Sequence, residues 1–290
     1  MDRAALLGCV TLALLTGGCG HRSYLAVGAK NFTEQYILGE IVAQHIENRL
    51  QTTVVRKFGL GGTLLAQQGL LSNEIDFYPE YTGTAFTNVL KRKPVSDPAQ
   101  VLKELRDGYG KWKLEWLDPF GFNNSFAMAV SGERARSGHL NTLSDAAQDA
   151  RGFALGAGYE FMGRPDGYEM LNRAYHIKWT STPKAMDLGL LYRALRQKQV
   201  SMVAGSMTDA TLAVIDAKVL EDDAHAFPPY QGCVVARTEA LAEHPGLREA
   251  LAVLAGKISS DAMRRMNYEV DGNHRQTAEV AREFLKQSGL

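Results

Sequence analysis

Aromatic and basic side chains gather where this chain turns. Tyr78 and Tyr81 follow a predicted strand, Phe126 follows a Gly-Phe-Asn turn, and Tyr230 follows Pro228-Pro229. Tyr159, Phe161 and Arg164 share a glycine-rich loop. An aromatic face attracts a cation through its quadrupole, by roughly 0.5–2 kcal/mol per favourable contact. A quaternary ammonium suits such rings best, being weakly hydrated and unable to donate strong hydrogen bonds. Lys30 and Arg164 would clamp a carboxylate at the other end of the same ligand. Any one of these rings also fits ordinary core packing; the reading rests on the set. The chemistry expected is capture of a small zwitterion.

Turnover chemistry is not written in the same way. No serine has a G-x-S-x-G setting, and neither H-E-x-x-H nor G-x-x-x-x-G-K-[ST] occurs. GLGGT (59–63) reads as a tight turn into a helix, and only weakly as an anion-binding loop. GAGYEFMGR (156–164) lacks the third glycine of a dinucleotide fingerprint. His225 reads as a loop residue, and Glu74 and Asp76 are expected to flank a strand and face solvent. Nothing joins a nucleophile to a base and an orienting group. No Cys/His cluster suggests zinc. An enzyme, a cofactor and a metal are therefore not expected.

These residues need elements to place them. Residues 24–28, 53–57 and 75–78 read as strands. Between them lie a helix opening at Asn31, with Glu34 in a capping-box position, and a second helix over 64–71. Ile37, Leu38, Ile41, Val42, Ile46 and Leu50 form one apolar stripe on the first helix. This alternation predicts a parallel sheet. A helix over 101–112 and a short strand at 116–117 follow. A second series has strands at 152–156 and 200–204, with helices over 167–174 and 186–196. A strand at 233–236 leads into C-terminal helices with Leu241, Leu247, Leu251, Leu254, Met263, Met266, Val280 and Phe284 turned inward. Crossings at 121–123 and 227–230 divide the chain into a discontinuous lobe 1 (23–122 plus 231–290) and lobe 2 (123–230). The fold class is α/β with two lobes.

Composition sets the compartment and excludes some partners. The 290 residues carry 32 Lys plus Arg against 32 Asp plus Glu, with no basic stripe for nucleic acid. Residues 4–15 form an apolar run after Met1-Asp2-Arg3 and end at small residues, which fits a signal peptide (1–19). TGGC (16–19) resembles a bacterial lipoprotein box, with Thr16 where leucine is usual. It implies acylation at Cys19, hence a membrane-anchored periplasmic or cell-surface protein. Of the 3 cysteines, only Cys233 would then remain as a thiol, and it is expected to be buried.

Six motifs in order resemble one family: GAKNFTEQYILGEIVAQ (28–44), GGT (61–63), NEIDFYPEYTGTA (73–85), GFNNSFAMAV (121–130), MGRPDGY (162–168) and HAFPPYQG (225–232). The family is the glycine betaine/choline/carnitine substrate-binding proteins of osmoprotectant ABC transporters. The resemblance implies a type II periplasmic-binding-protein fold, each lobe a mainly parallel sheet flanked by helices, with a two-strand hinge. It implies a monomer that delivers a quaternary-ammonium solute to permease and ATPase subunits. By the same resemblance Tyr81, Phe126 and Tyr230 match cage aromatics, and Lys30, Thr84 and Arg164 match the carboxylate side. Asn124 matches a polar position beside the methylammonium. Ser206 stands where a fourth cage ring is usual. Loss of that ring implies binding weaker by up to roughly 30-fold, or a pocket that admits a bulkier ligand. A sensor for a different trimethylated or amino-acid-like ligand would need the same cleft; a small-molecule enzyme is the remote alternative.

Overall fold

The computed structural model describes residues 24–164 and 166–290, and the leader with Cys19 lies outside them. Among the described residues ten strands run in chain order: β1 (Leu25–Gly28), β2 (Val54–Lys57), β3 (Phe77–Tyr81), β4 (Leu114–Trp116), β5 (Phe126–Ser131), β6 (Leu155–Ala157), β7 (Lys184–Ala185), β8 (Met202–Ser206), β9 (Ala217–Val219) and β10 (Gly232–Arg237). They form two sheets of five, ordered β2-β1-β3-β10-β4 and β7-β6-β8-β5-β9. The two orders correspond strand for strand. In each sheet the first three strands are parallel, and the fourth is antiparallel to both neighbours.

Four strands of each sheet run the same way, as the mainly parallel reading expected, and one opposes them, so both sheets are mixed. The cause is connectivity. The βα units of each lobe aim strand carboxyl ends at the boundary between the lobes. A chain arriving from the other lobe must start its strand at that boundary and run away from it. β5 enters lobe 2 this way and β10 re-enters lobe 1. Their lead-in segments pair with each other: Asn123 and Gln231 form an isolated antiparallel bridge, and the Asn124 amide donates to the Tyr230 carbonyl at 2.9 Å.

Alternating side chains send each strand's residues to opposite faces. Leu25, Val27, Phe77, Tyr81, Val234 and Ala236 meet the helix Thr33–Leu50 and the C-terminal helices. Tyr78, Trp116, Cys233 and Val235 meet the helices Thr63–Leu71, Thr82–Asn88 and Pro98–Gly110. Leu241, Leu247, Leu251, Leu254, Met263, Met266 and Val280 are buried as the periodicity predicts, with Phe284 packed at the margin. Cys233 is buried too, and burial raises its thiol pKa.

Several local readings change: the helix expected over 186–196 spans only Leu191–Arg196, the strand expected at 152–156 lies at Leu155–Ala157, and the glycine-rich loop holds the helix Tyr159–Gly163. The first helix starts at Thr33, with Phe32 at its N-cap and no side-chain cap. Glu34 does not close a capping box, because its carboxylate turns inward to other partners. The third strand lies later than 75–78, so Tyr78 and Tyr81 are within it. Asp76 is buried rather than solvent-facing: it accepts the Ala26 amide at 2.7 Å and pairs with Arg237 at 2.9 Å. Short edge strands β7 and β9 give too few residues for a period to show.

Candidate functional site

Strand carboxyl ends at an inter-lobe boundary are where open α/β sheets hold ligands. A cavity of about 620 Å³ opens there. Lys30 lies just past β1, Tyr81 ends β3, and Thr84 is on the next helix. Asn124 lies on the first crossing, Phe126 begins β5, and Tyr230 is on the second crossing. Arg164 follows the short helix Tyr159–Gly163 after β6. All seven line the cavity. Ser206, at the end of β8, is not among its lining residues.

The rings already carry cations. The Lys30 ammonium sits 4.6 Å from the Tyr81 centroid. The Arg164 guanidinium lies 5.5 Å from the Phe126 ring and 5.6 Å from the Tyr230 ring. Phe126 is fixed edge-on by Phe161 at 4.8 Å and Phe227 at 5.5 Å. Tyr159 stands apart from this group, at 64% exposure. Tyr78 faces the opposite side of its sheet, against Trp116 and Val235.

Each of these cations is also paired with an acid of the chain. Lys30 Nζ meets Glu80 Oε1 at 2.5 Å, both side chains buried. Glu80 further accepts the Tyr81 amide at 2.7 Å and the Tyr78 hydroxyl at 3.1 Å. Arg164 donates to both Asp166 oxygens, at 2.8 and 2.6 Å, and to the Tyr230 hydroxyl at 2.6 Å. Tyr230 in turn donates to Asp166. Burial raises the Asp166 pKa, but the hydrogen bonds from Arg164 and Tyr230 outweigh it and hold the carboxyl below its usual range.

Beneath the cavity lies a polar ring that the sequence did not reveal. Glu34 Oε1 accepts from the Tyr81 hydroxyl at 2.6 Å and from Asn124 Nδ2 at 3.1 Å. Glu34 Oε2 accepts from Asn267 Nδ2 at 3.0 Å. Asn124 Oδ1 accepts from Ser206, whose oxygen contacts Thr208 at 3.1 Å. Asn267 also donates to the Thr208 carbonyl at 2.8 Å, which closes the circuit. Burial raises the Glu34 pKa against the pull of these bonds. Ser206 thus ties β8 to the first crossing. Asn267 sits among the apolar positions of a C-terminal helix, and only its buried polarity could have singled it out.

GLGGT turns as expected: Gly59 and Gly61 both have φ of 75°, and Gly61 and Gly62 line the cavity. Among the described residues, no group of three or more His, Cys, Asp or Glu converges as a metal site. No described helix is long and apolar enough to cross a membrane.

Known proteins resemble this chain in sequence and in fold. A family model described as the substrate binding domain of ABC-type glycine betaine transport system matches residues 24–287. The carnitine transport binding protein of Listeria monocytogenes is 31% identical over 274 residues, covering 93% of this chain and 89% of that protein. An ergothioneine transport permease/ergothioneine binding protein of Helicobacter pylori is 34% identical over 268 residues. The match covers 92% of this chain but 48% of that protein, so the chain spans about half its length. A crystal structure of a glycine betaine/carnitine/choline ABC transporter protein superposes with a TM-score of 0.87 at 33% identity, covering 91% of this chain and 98% of that one.

Proposed function

The chain belongs to the family of substrate-binding domains of ABC-type glycine betaine transport systems, and on that footing we propose that it captures a trimethylammonium zwitterion for an importer. The protein works outside the cytoplasm, held to the membrane through Cys19, and passes its solute to a permease driven by an ATPase. It binds as a monomer and does not transform the solute.

One observation carries this reading: Tyr81, Phe126 and Tyr230, from β3, β5 and the second crossing, line a single cavity between the sheets. Two of these rings share the Arg164 guanidinium and the third carries the Lys30 ammonium. They are therefore placed to hold positive charge. The ligand's permanent cation competes for those faces, while Thr84 and Arg164 serve its carboxylate. Lys30 and Asn124, on the same cavity wall, are anchored by Glu80 and Glu34. The bodies that close on the ligand are 23–122 with 231–290 against 123–230, hinged at the paired crossings.

Calorimetric titration with glycine betaine, choline and carnitine, beside glycine and proline, tests the reading. Saturable binding of at least one trimethylated compound, with none for the ordinary amino acids, is expected. Binding of the amino acids alone would overturn it.

A further inference from the structure

Of the cations lining the cavity, Lys30 and Arg164 are each neutralised by a buried acid, Glu80 and Asp166. Lys91 is different. It lines the same cavity, and among the described residues it has no acidic partner. Its backbone is left-handed, with φ of 54°, where the chain turns out of the helix Thr82–Asn88. Thr84 and Asn88 lie one helical turn apart on that helix, so they share a face leading toward Lys91. Both line the cavity, and neither side chain has a hydrogen-bond partner among the described residues. The polar groups around the rings are engaged: Asn124, Tyr81 and Tyr230 all hold partners within the chain. The row Thr84, Asn88, Lys91 therefore keeps its donors available and carries the uncompensated charge. Leu64 and Leu65, 61% and 64% exposed, add apolar surface to the same cavity.

Resting on the proposed function, we infer that Asn88 and Lys91 extend the carboxylate side beyond Thr84 into an anion-accepting subsite farther from the ring cluster. It selects trimethylammonium carboxylates whose carboxylate is separated from the ammonium by several atoms. A ligand of that length places its cation at the rings and its carboxylate at Lys91, with its chain against Leu64 and Leu65. Glycine betaine, with one carbon between its charges, is expected to reach the rings and Thr84 but not Asn88 and Lys91, which follow Thr84 by four and seven residues. Specificity is then read at the mouth of the cavity, away from the rings.

The test compares γ-butyrobetaine with glycine betaine by calorimetry, on the parent protein and on Lys91→Gln, Lys91→Glu and Asn88→Ala. Lys91 and Asn88 are exposed, so these variants should fold. Lys91→Gln is expected to weaken γ-butyrobetaine about 10-fold, or about 1.4 kcal/mol, and Lys91→Glu further. Glycine betaine should change less than about 2-fold with Lys91→Gln. Added salt should reduce γ-butyrobetaine affinity in the parent more than in Lys91→Gln. Equal losses for both ligands would reveal a general field effect and overturn the subsite; so would no loss for either. If the parent binds neither compound nor any other trimethylated solute, the functional reading itself fails and takes the subsite with it. That outcome is distinct from a parent that binds both compounds but is indifferent to Lys91.

Discussion

The Tyr81 hydroxyl donates to Glu34 Oε1 at 2.6 Å, so a ring that lines the cavity is held by a carboxylate that does not. The same carboxylate holds Asn124 on the first crossing and Asn267 on a C-terminal helix. One buried acid thus orients a ring, a hinge segment and a helix together.

Removing that acid should cost stability before it touches affinity directly. Glu34→Ala leaves three donors without their acceptor, and each buried unsatisfied group costs about 1–3 kcal/mol. A loss of about 3 kcal/mol in denaturant unfolding is expected. The pH sign follows from the raised pKa of Glu34 in the fold. A raised carboxyl pKa adds stability below the unfolded value, near 4.5, and that share is lost as pH rises through the folded value. The stability of the parent relative to Glu34→Gln should therefore fall as pH rises above about 4.5. A gap that widens with pH would contradict this.

Tyr230 contributes a ring and a hydroxyl that can be separated. Tyr230→Phe keeps the ring in the cavity and removes the bonds to Asp166 and Arg164. Ligand affinity should stay within a few-fold. Stability at pH 7 should fall by about 1 kcal/mol. Because the Asp166 pKa is depressed, its contribution is present above the unfolded value and lost as pH falls through the folded one. The deficit of Tyr230→Phe should therefore close in acid. Tyr230→Ala should abolish measurable binding and cost about 3–5 kcal/mol, as for other large buried rings.

Gly83 tests how closely the second crossing packs on the first lobe. A Cβ there would lie 2.7 Å from the Pro229 carbonyl oxygen and 2.7 Å from the Tyr230 ring. Gly83→Ala should displace Tyr230 and weaken ligand binding at least about 10-fold, equivalent to about 1.4 kcal/mol. Unchanged affinity, measured by calorimetry, would show that the ring's position is not critical.

Asp76 offers the opposite control. It joins β1 to β10 through the Ala26 amide and Arg237, away from the cavity. Asp76→Ala leaves Arg237 without its buried partner and should cost about 3–5 kcal/mol. Affinity of the folded protein should be unaffected.

Periodicity made the first helix and its stripe legible, and the βαβ alternation revealed the parallel core of each lobe. The antiparallel β5 and β10 were hidden because direction depends on which lobe a strand enters from, which no local pattern encodes. Tyr81, Phe126 and Tyr230 could be picked out because rings beside turns stand out against polar loops. Their cations could be named, but their acids could not. Glu80 lies in the same strand as Tyr81, and its pairing with Lys30 spans 50 positions of chain. Glu34 looked like a helix cap because its spacing from Asn31 is that of a cap. A three-dimensional demand from Tyr81, Asn124 and Asn267 overrode that local signal. Ser206 was visible only as a missing ring, and the structure gives it work as a ligand of Asn124.

The central claim is that the rings select positive charge, and a pair of equally shaped ligands isolates that property. Glycine betaine and tert-butylacetate differ in having nitrogen or carbon at the centre of the trimethyl group. Calorimetry on the parent protein should find glycine betaine bound at least about 30-fold more tightly, the equivalent of about 2 kcal/mol of cation–ring attraction. Equal affinity for the two, or tighter binding of the carbon compound, would contradict the account.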